Sequence, residues 1–254
     1  MTRRGFVEVS LAAGGCAACG ALGSEARADS PPAVTGSGYE LWFVGAQRDT
    51  IMNGKLGAAI DLNSLTGMAH LYGLGPLAEL RGEVTIADSR PALARVMPDG
   101  SLQVTESFAA GAPFFVWASV PRWQQVPIPA TVSSFAELER FVPQAAAAAG
   151  LDAARPLPFL VHGREDMIEF HVLNRIGNPP HNMEAHKKIQ VTFELEQVEA
   201  IIVGFHSTDH RGIFTPGDSN IHIHFQTPDN RQSGHIQKLL LGSGAVLSLP
   251  LAAG

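Results

Sequence analysis

The sequence predicts an α+β protein whose two sheet-based halves are joined through one helix. Short apolar runs bounded by Gly, Pro, Asn and Asp recur along both halves, as is typical of strands. A single segment carries helix signals, because Ser134 and Glu137 form a capping box and Gly150 supplies a stop. A histidine pair at alternate positions, described below, places a metal site on a β-hairpin of the C-terminal half.

Each predicted element follows from local signals. Asp99-Gly100 separates two apolar runs and therefore predicts a hairpin. The helix is expected from Phe135 to about Ala149, with a kink or break at Pro143. The predicted strands are residues 39–46, 82–88, 92–97, 101–106 and 114–120 in the first half, and 159–162, 167–173, 190–196, 199–205, 236–241 and 245–249 in the second.

The first 28 residues have the features of an export signal. Arg3-Arg4 begins a twin-arginine pattern, a modest apolar run follows, and Ala26-Arg27-Ala28 forms a cleavage site. The apolar run is too short for a membrane-spanning helix. We therefore expect a signal (1–28), an N-terminal β-rich half (29–150) and a C-terminal metal-binding half (151–254). The mature protein is expected in the periplasm or secreted, with no membrane partner after cleavage.

Charge and cysteine content narrow the function classes. The whole chain has a formal net charge of −6, and removal of residues 1–28, with three arginines and two glutamates, changes it to −7. An acidic chain without clusters of Lys and Arg argues against nucleic acid as a partner. Both cysteines, Cys16 and Cys19, precede the cleavage site, so the mature chain has no thiol for a disulfide or a structural zinc site.

The strongest chemical signal is the run from Asn220 to Phe225, in which His222 and His224 alternate with isoleucines, and His235 follows after a turn. Alternate positions on a strand share one face, so the two side chains start roughly 6 to 7 Å apart. His235 is expected on the returning strand. Three neutral imidazoles with an open fourth position are typical of catalytic Zn²⁺, although imidazole also suits other divalent transition metals. A hydrogen-bonded histidine pair on a sheet face is the structural alternative.

Several segments resemble the α-acetolactate decarboxylase family. Residues 71–84 are similar to the family's GLGTF and LDGEL stretch, and residues 202–205, 220–225 and 233–236 are similar to its GTIVGF, GYHLHF and GGHV motifs. The order and spacing agree from about Tyr39 to Leu241. The resemblance implies a lyase that converts 2-acetolactate, or a similar 2-hydroxy-3-keto acid, to acetoin and CO₂. It also implies a homodimer.

Residue by residue, the resemblance implies that His222, His224 and His235 hold Zn²⁺ and that Glu83 is the active-site glutamate. The substrate hydroxyl and carbonyl would chelate the ion, which stabilises the enediolate left when CO₂ departs. Glu83 would then deliver the proton that yields acetoin. No organic cofactor is required.

The sequence departs from the family pattern in two places. The family's arginine, eight residues after a glycine, corresponds to His171 after Gly163, and the nearest arginine is Arg175. One of these two residues is therefore expected to orient the substrate. The family's acidic residue in a C-terminal extension has no counterpart, since no acidic residue follows Asp229.

These departures keep other functions open. A three-histidine zinc hydratase or hydrolase would use the same ligands to activate water, but it has no role for Glu83. A cupin-type oxygenase would place a glutamate ligand shortly after the histidine pair, where Pro228 and Asp229 stand. A non-catalytic metal- or ligand-binding protein of the same fold would keep the ligands and lose the chemistry.

Overall fold

The computed structural model describes residues 33–252. The predicted signal (1–28) lies outside the described residues, so export and cleavage stay predictions. The strands of the first sheet region are β1 (Ala33–Gly36), β2 (Tyr39–Val44), β3 (Ile60–Asp61), β4 (Leu71–Pro76), β5 (Glu83–Ala87), β6 (Arg90–Val96), β7 (Leu102–Thr105), β8 (Gly111–Ala112) and β9 (Phe115–Ser119). The later strands are β10 (Trp123–Pro127), β11 (Leu157–Leu173), β12 (Gln190–His206), β13 (Ile221–Gln226), β14 (Ser233–Leu240) and β15 (Val246–Pro250). The helices are α1 (Gln47–Asn53), α2 (Phe135–Ala148) and α3 (Met183–Lys188), with 3₁₀ turns at Leu62–Leu65 and Ala78–Leu80.

Two antiparallel sheets form the body of the described chain. Within residues 33–119, seven strands pair in the order β1-β2-β9-β4-β5-β6-β7, while β3 pairs with β8 apart from them. The second sheet has the order β10-β15-β11-β12-β13-β14, and β14 also pairs with β11. The pairings from β11 through β12, β13 and β14 back to β11 therefore form a closed ring. Ring closure places His235 in register with both His224 and His171.

The α+β class is confirmed in its coarser form, mostly sheet with few helices, but the prediction that a helix joins the two sheets is wrong. α2 lies between β10 and β11, which belong to the same sheet, and the chain enters that sheet at Trp123. The sequence analysis did not predict strand β10, because Gln124 and Gln125 interrupt its apolar pattern. β10 lies at the edge of its sheet. The division of the mature chain at residue 150 stays a prediction.

The four strands predicted between residues 159 and 205 are two continuous strands of 17 residues each, β11 and β12. The polar run from Gly163 to Asp166 suggested a break, yet Gly163, Arg164 and Glu165 stay in register with β12. Strand pairing uses backbone N–H and C=O groups, so polar side chains alone do not end it. The length of β11 lets its first half pair with β15 and its second half with β14.

Helix α2 begins as predicted. The hydroxyl of Ser134 accepts the N–H of Glu137 at 3.4 Å, and the Glu137 carboxylate accepts the N–H of Ser134 at 3.1 Å. The helix runs through Pro143 without a break. Its buried side chains, Leu138 and Val142 among them, join the main hydrophobic cluster, so the helix is anchored on the second sheet's core.

The core spans both sheets. One hydrophobic cluster contains Leu41 and Leu74 from the first sheet together with Val203 and Phe225 from the second. A smaller cluster, which includes Val84, covers the opposite face of the first sheet. β5 is buried throughout: Val84 and Ile86 belong to the smaller cluster and Ala87 belongs to the larger one. Among residues 33–252, no helix has the length and hydropathy needed to cross a membrane.

A buried acid in β11 makes the fold sensitive to pH. Glu165 is 0% exposed, its Oε2 accepts the N–H of Gly242 at 3.1 Å, and its Oε1 has no hydrogen-bond partner in the described part of the chain. Burial raises the pKa of Glu165 from 4.5 to about 7. The carboxylate form is therefore disfavoured in the folded protein.

We predict that Glu165→Gln becomes more stable relative to wild type as the pH rises. The neutral acid's stabilisation is fully present below the unfolded pKa and is lost as the pH rises toward the folded pKa of about 7. The glutamine side chain of the variant does not titrate, so wild type alone loses this stabilisation. The free energy of unfolding of the variant, relative to that of wild type, should therefore increase by at most about 3 kcal/mol between pH 4 and pH 8. Urea unfolding at several pH values measures this, with the exposed Glu196→Gln as control. Parallel pH profiles for wild type and Glu165→Gln would contradict the assignment.

Candidate active site

Three histidines from adjacent strands meet at one point. His222 and His224 lie on β13 and His235 lies on β14, where it is the direct partner of His224. The Nε2 of His222 lies 3.1 Å from the Nε2 of His224 and 3.0 Å from the Nδ1 of His235. Nitrogen ligands of a tetrahedral zinc ion lie about 3.3 Å apart. The spacing of these donor atoms therefore fits a divalent metal ion.

The Nδ1 atoms of His222 and His224 contact groups that fix these two imidazoles. Nδ1 of His222 donates a hydrogen bond to the carbonyl of Phe214 at 2.7 Å. Nδ1 of His224 lies 3.3 Å from the hydroxyl of Thr85, which accepts a hydrogen bond from Ser233 at 2.9 Å. Metal-ligating histidines usually have such outer partners. Because Nδ1 of His222 carries the proton, its Nε2 lone pair faces the cluster, where a cation would satisfy it.

Burial keeps the cluster neutral. His222 and His224 are 2% and 0% exposed. Burial lowers the pKa of His222 to about 4 and holds the pKa values of His224 and His235 well below the usual range. A neutral imidazole has a lone pair for a metal, whereas a protonated one does not. The three side chains therefore present metal-binding lone pairs at neutral pH.

A glycine beside His235 allows the strands to approach closely. A Cβ at Gly234 would lie 2.5 Å from the ring of Phe170 on β11. The absence of a side chain lets β14 pack against β11, so that His235 pairs with His171. Packing against β11 thus explains the glycine in the Ser-Gly-His sequence at the start of β14.

Glu83 reaches the cluster from the first sheet. It begins β5, is 2% exposed, and its Oε2 lies 3.9 Å from the Nε2 of His224. Its Oε1 lies 3.8 Å from the Nε2 of His171. Burial raises the pKa of Glu83 well above its usual value, opposed in part by a hydrogen bond from the N–H of Leu173. Burial therefore favours the neutral acid over the carboxylate at this position, next to the three histidines.

A tight turn orients Glu83. Gly82 has a φ of +138°, and a Cβ there would lie 2.4 Å from a backbone oxygen, so this position requires glycine. Glu79 and Leu80 have φ values of 60° and 54°, in the left-handed region. The N–H of Arg175 donates to the Leu80 carbonyl at 3.0 Å, and its guanidinium donates to Glu79 at 3.1 Å. Arg175 thus supports the turn from which β5 emerges.

The two residues predicted to orient the substrate occupy different places. His171 is 5% exposed, its ring centroid lies 4.5 Å from that of His235, and its Nδ1 has no hydrogen-bond partner within residues 33–252. Arg175 donates to Glu79 and to the carbonyl of Pro179 at 2.8 Å, and it does not line the cavity that contains the cluster. The structure therefore brings Glu83 and His171 to the three histidines and leaves Arg175 apart.

A cavity of about 920 Å³ gives access to this group. Glu83, His171, His222 and His235 line its inner part. Small-molecule sites in proteins usually have volumes of about 300 to 1,000 Å³, so this cavity has the size of a ligand site. Its walls come from α1, α2, α3 and the turn at residues 216–219 and include Gln47, Ile51, Phe135, Glu139, Met183, His186, Lys187, Pro216 and Asp218.

Sequence reasoning missed the residues that surround the cluster. Thr85 lies two positions after Glu83, so strand alternation was a usable signal that it shares the face of that residue. The Phe214 carbonyl and the Ser233 hydroxyl gave no signal, because their roles depend on contacts between distant segments. The same is true of the cavity wall formed by α3.

The chain is similar to a known protein family and to several solved structures. The Alpha-acetolactate decarboxylase family model matches residues 44–250, most of the chain, and the protein therefore belongs to that family. Its fold matches a Staphylococcus aureus protein of unknown function described as similar to alpha-acetolactate decarboxylase, with a TM-score of 0.66, 16% identity, and coverage of 82% of this chain and 84% of the other.

Two acetolactate decarboxylases have the same fold. The enzyme from Bacillus subtilis strain 168 aligns with a TM-score of 0.62 and 16% identity over 82% of this chain and 83% of its own. The enzyme from Bacillus subtilis subspecies spizizenii aligns with a TM-score of 0.64 and 17% identity over 83% of this chain and 85% of its own. No curated protein sequence matches this chain. At these identities the structures establish the fold only, and the activity has to be inferred from the residues of the site.

We predict that the purified protein retains about one equivalent of a divalent transition metal and that His224→Ala loses it, because one of three ligands is removed. Elemental analysis after dialysis measures the metal, and circular dichroism checks that the variant is folded. His70→Ala, at an exposed histidine in the first sheet region, is the matched control and should keep the metal. Wild-type protein with less than about a tenth of an equivalent after zinc loading would refute the metal site.

Proposed function

We propose that this chain is an exported, zinc-dependent decarboxylase that converts 2-acetolactate, or a similar 2-hydroxy-3-keto acid, to acetoin and CO₂. The observation that carries the proposal is the meeting of Glu83 from one sheet with His222, His224 and His235 from the other, in a member of the acetolactate decarboxylase family. Export is proposed from residues 1–28 alone, and homodimerisation stays a prediction from the family resemblance.

The three histidines on the β13–β14 hairpin would hold the ion, since their donor atoms lie within 4.8 Å of one another and three imidazoles are a usual zinc set. When bound, the ion supplies a Lewis acid for the hydroxyl and carbonyl oxygens of the substrate and for the negative charge that develops as CO₂ leaves.

Glu83 supplies the proton. Loss of CO₂ leaves an electron pair on carbon, so the enediolate must take up one proton to become acetoin. Burial favours the acid form of Glu83, and its carboxyl oxygens lie 3.8 and 3.9 Å from Nε2 of His171 and Nε2 of His224. After transfer, the carboxylate recovers a proton from solvent through the cavity. One buried carboxyl group therefore meets the proton requirement of each turnover.

We assign the orienting role to His171. It lines the same cavity as Glu83, and its Nδ1 has no hydrogen-bond partner in the described chain, so a substrate oxygen or water is the natural partner. The guanidinium of Arg175 is engaged with Glu79 and the Pro179 carbonyl. We therefore assign Arg175 to support of the turn before Glu83.

Glu83→Gln should retain the metal yet lose roughly 10² to 10⁴ in kcat, because an amide cannot donate the acid's proton. The measurement is acetoin and CO₂ release from 2-acetolactate by the zinc-loaded chain beginning at Asp29, corrected for the spontaneous reaction. Exposed Glu40→Gln serves as control and should match wild type.

Two outcomes would overturn different parts of the proposal. If Glu83→Gln turns over at the wild-type rate, Glu83 is not the proton donor. If the zinc-loaded wild-type protein releases acetoin no faster than buffer does, the chain is a metal- or ligand-binding member of the family and not a decarboxylase.

A further inference from the structure

The charged side chains of the cavity wall come from different elements. Lys187 lies on α3, while Glu139 lies on α2 and Asp218 in the turn before β13. The Glu139 carboxylate accepts hydrogen bonds from the Ser219 hydroxyl at 3.2 Å and from the N–H of Asn220, which fixes it beside the turn that contains Asp218. The wall therefore carries acidic groups from α2 and the turn before β13, and a cation from α3.

Lys187 is available to a ligand. Among the described residues that line the cavity, it is the one lysine or arginine, and it forms no ion pair there. Its neighbour Lys188 pairs instead with Glu184 at 2.6 Å, and both of those side chains are more than 70% exposed. Adjacent lysines on one short helix thus differ in role, since one lines the cavity and the other forms an ion pair at the surface.

The proposed substrate is an anion with three oxygen-bearing groups. Once its hydroxyl and carbonyl face the histidines, its carboxylate must lie elsewhere in the cavity. Next to Glu139 or Asp218 it would be repelled, and next to Lys187 it would be attracted. We propose that Lys187 binds the substrate carboxylate and makes the site selective for anionic over neutral hydroxy-ketones and hydroxy-esters. This inference rests on the proposed function for the identity of the substrate.

The chemistry of decarboxylation determines which kinetic constant Lys187 affects. The carboxylate loses its negative charge as it becomes CO₂, so the contact with the ammonium group is weaker in the transition state than in the bound substrate. Interactions that do not strengthen in the transition state do not raise kcat. Lys187 therefore acts on substrate capture, reflected in KM, and not on the chemical step.

The kinetic test compares Lys187→Ala with its neighbour Lys188→Ala. Loss of an exposed charge contact should raise KM roughly two- to fivefold in Lys187→Ala without lowering kcat. The salt dependence of kcat/KM should also weaken, because one charge that attracts the anion is gone. Lys188→Ala should match wild type. Asp218→Asn should change KM in the opposite direction, since it removes a charge that repels the substrate.

A binding test separates this inference from the proposed reaction. 2-Hydroxy-2-methylbutanoate lacks the ketone and is not decarboxylated by this chemistry, and its methyl ester lacks the charge. Titration calorimetry on zinc-loaded protein should show weaker binding of the acid to Lys187→Ala and equal binding of the ester. That pattern supports the inference even if wild type has no activity on acetolactate. If Lys187→Ala and Lys188→Ala match each other for acid, ester and KM, Lys187 does not bind the carboxylate.

Discussion

The contact between β5 and the β13–β14 hairpin is the constraint on which the site depends. The Thr85 hydroxyl lies beside Nδ1 of His224 and accepts a hydrogen bond from Ser233, and all three residues are 0% exposed. A buried polar group left without a partner costs about 1 to 3 kcal/mol, so these groups hold the two sheets in one register. The same strand carries Glu83 two positions earlier. One buried contact therefore places both the histidine cluster and the acid.

The site is costly to fold in the absence of a ligand. Two buried imidazoles and the half-buried imidazole of His235 present lone pairs to a common point, and burial of Glu83 beside them disfavours its carboxylate form. A bound cation would offset this cost, and metal binding to the folded state contributes its free energy to stability. The closed ring of strands and the close approach at Gly234 keep the histidines together without a disulfide within the described chain.

Much of the site followed from sequence because its signals are local. Strand alternation places His222 and His224 on one face, and the capping box fixes the start of α2. The meeting of Glu83 with this hairpin came from the family resemblance, since no local pattern links positions so far apart. Three further features depend on tertiary contacts, so local sequence patterns did not predict them. They are the ring closure, the edge strand β10 and the cavity wall formed by α3.

The structure shows where the residues that depart from the family pattern lie. Arg175 contacts the turn before Glu83, while His171 lies in the cavity with an unpartnered nitrogen. Acidic groups on the wall come from Glu139 in α2 and Asp218 in a turn.

We propose that His222, His224 and His235 bind one metal ion beside Glu83. Anomalous diffraction from crystals of the zinc-loaded protein, collected above and below the zinc absorption edge, tests it most directly. We expect a single strong peak between the Nε2 atoms of His222 and His224 and the Nδ1 of His235, with the Glu83 carboxyl group adjacent. A peak at another site, such as the His181–His186 pair, with none at the three histidines would contradict it.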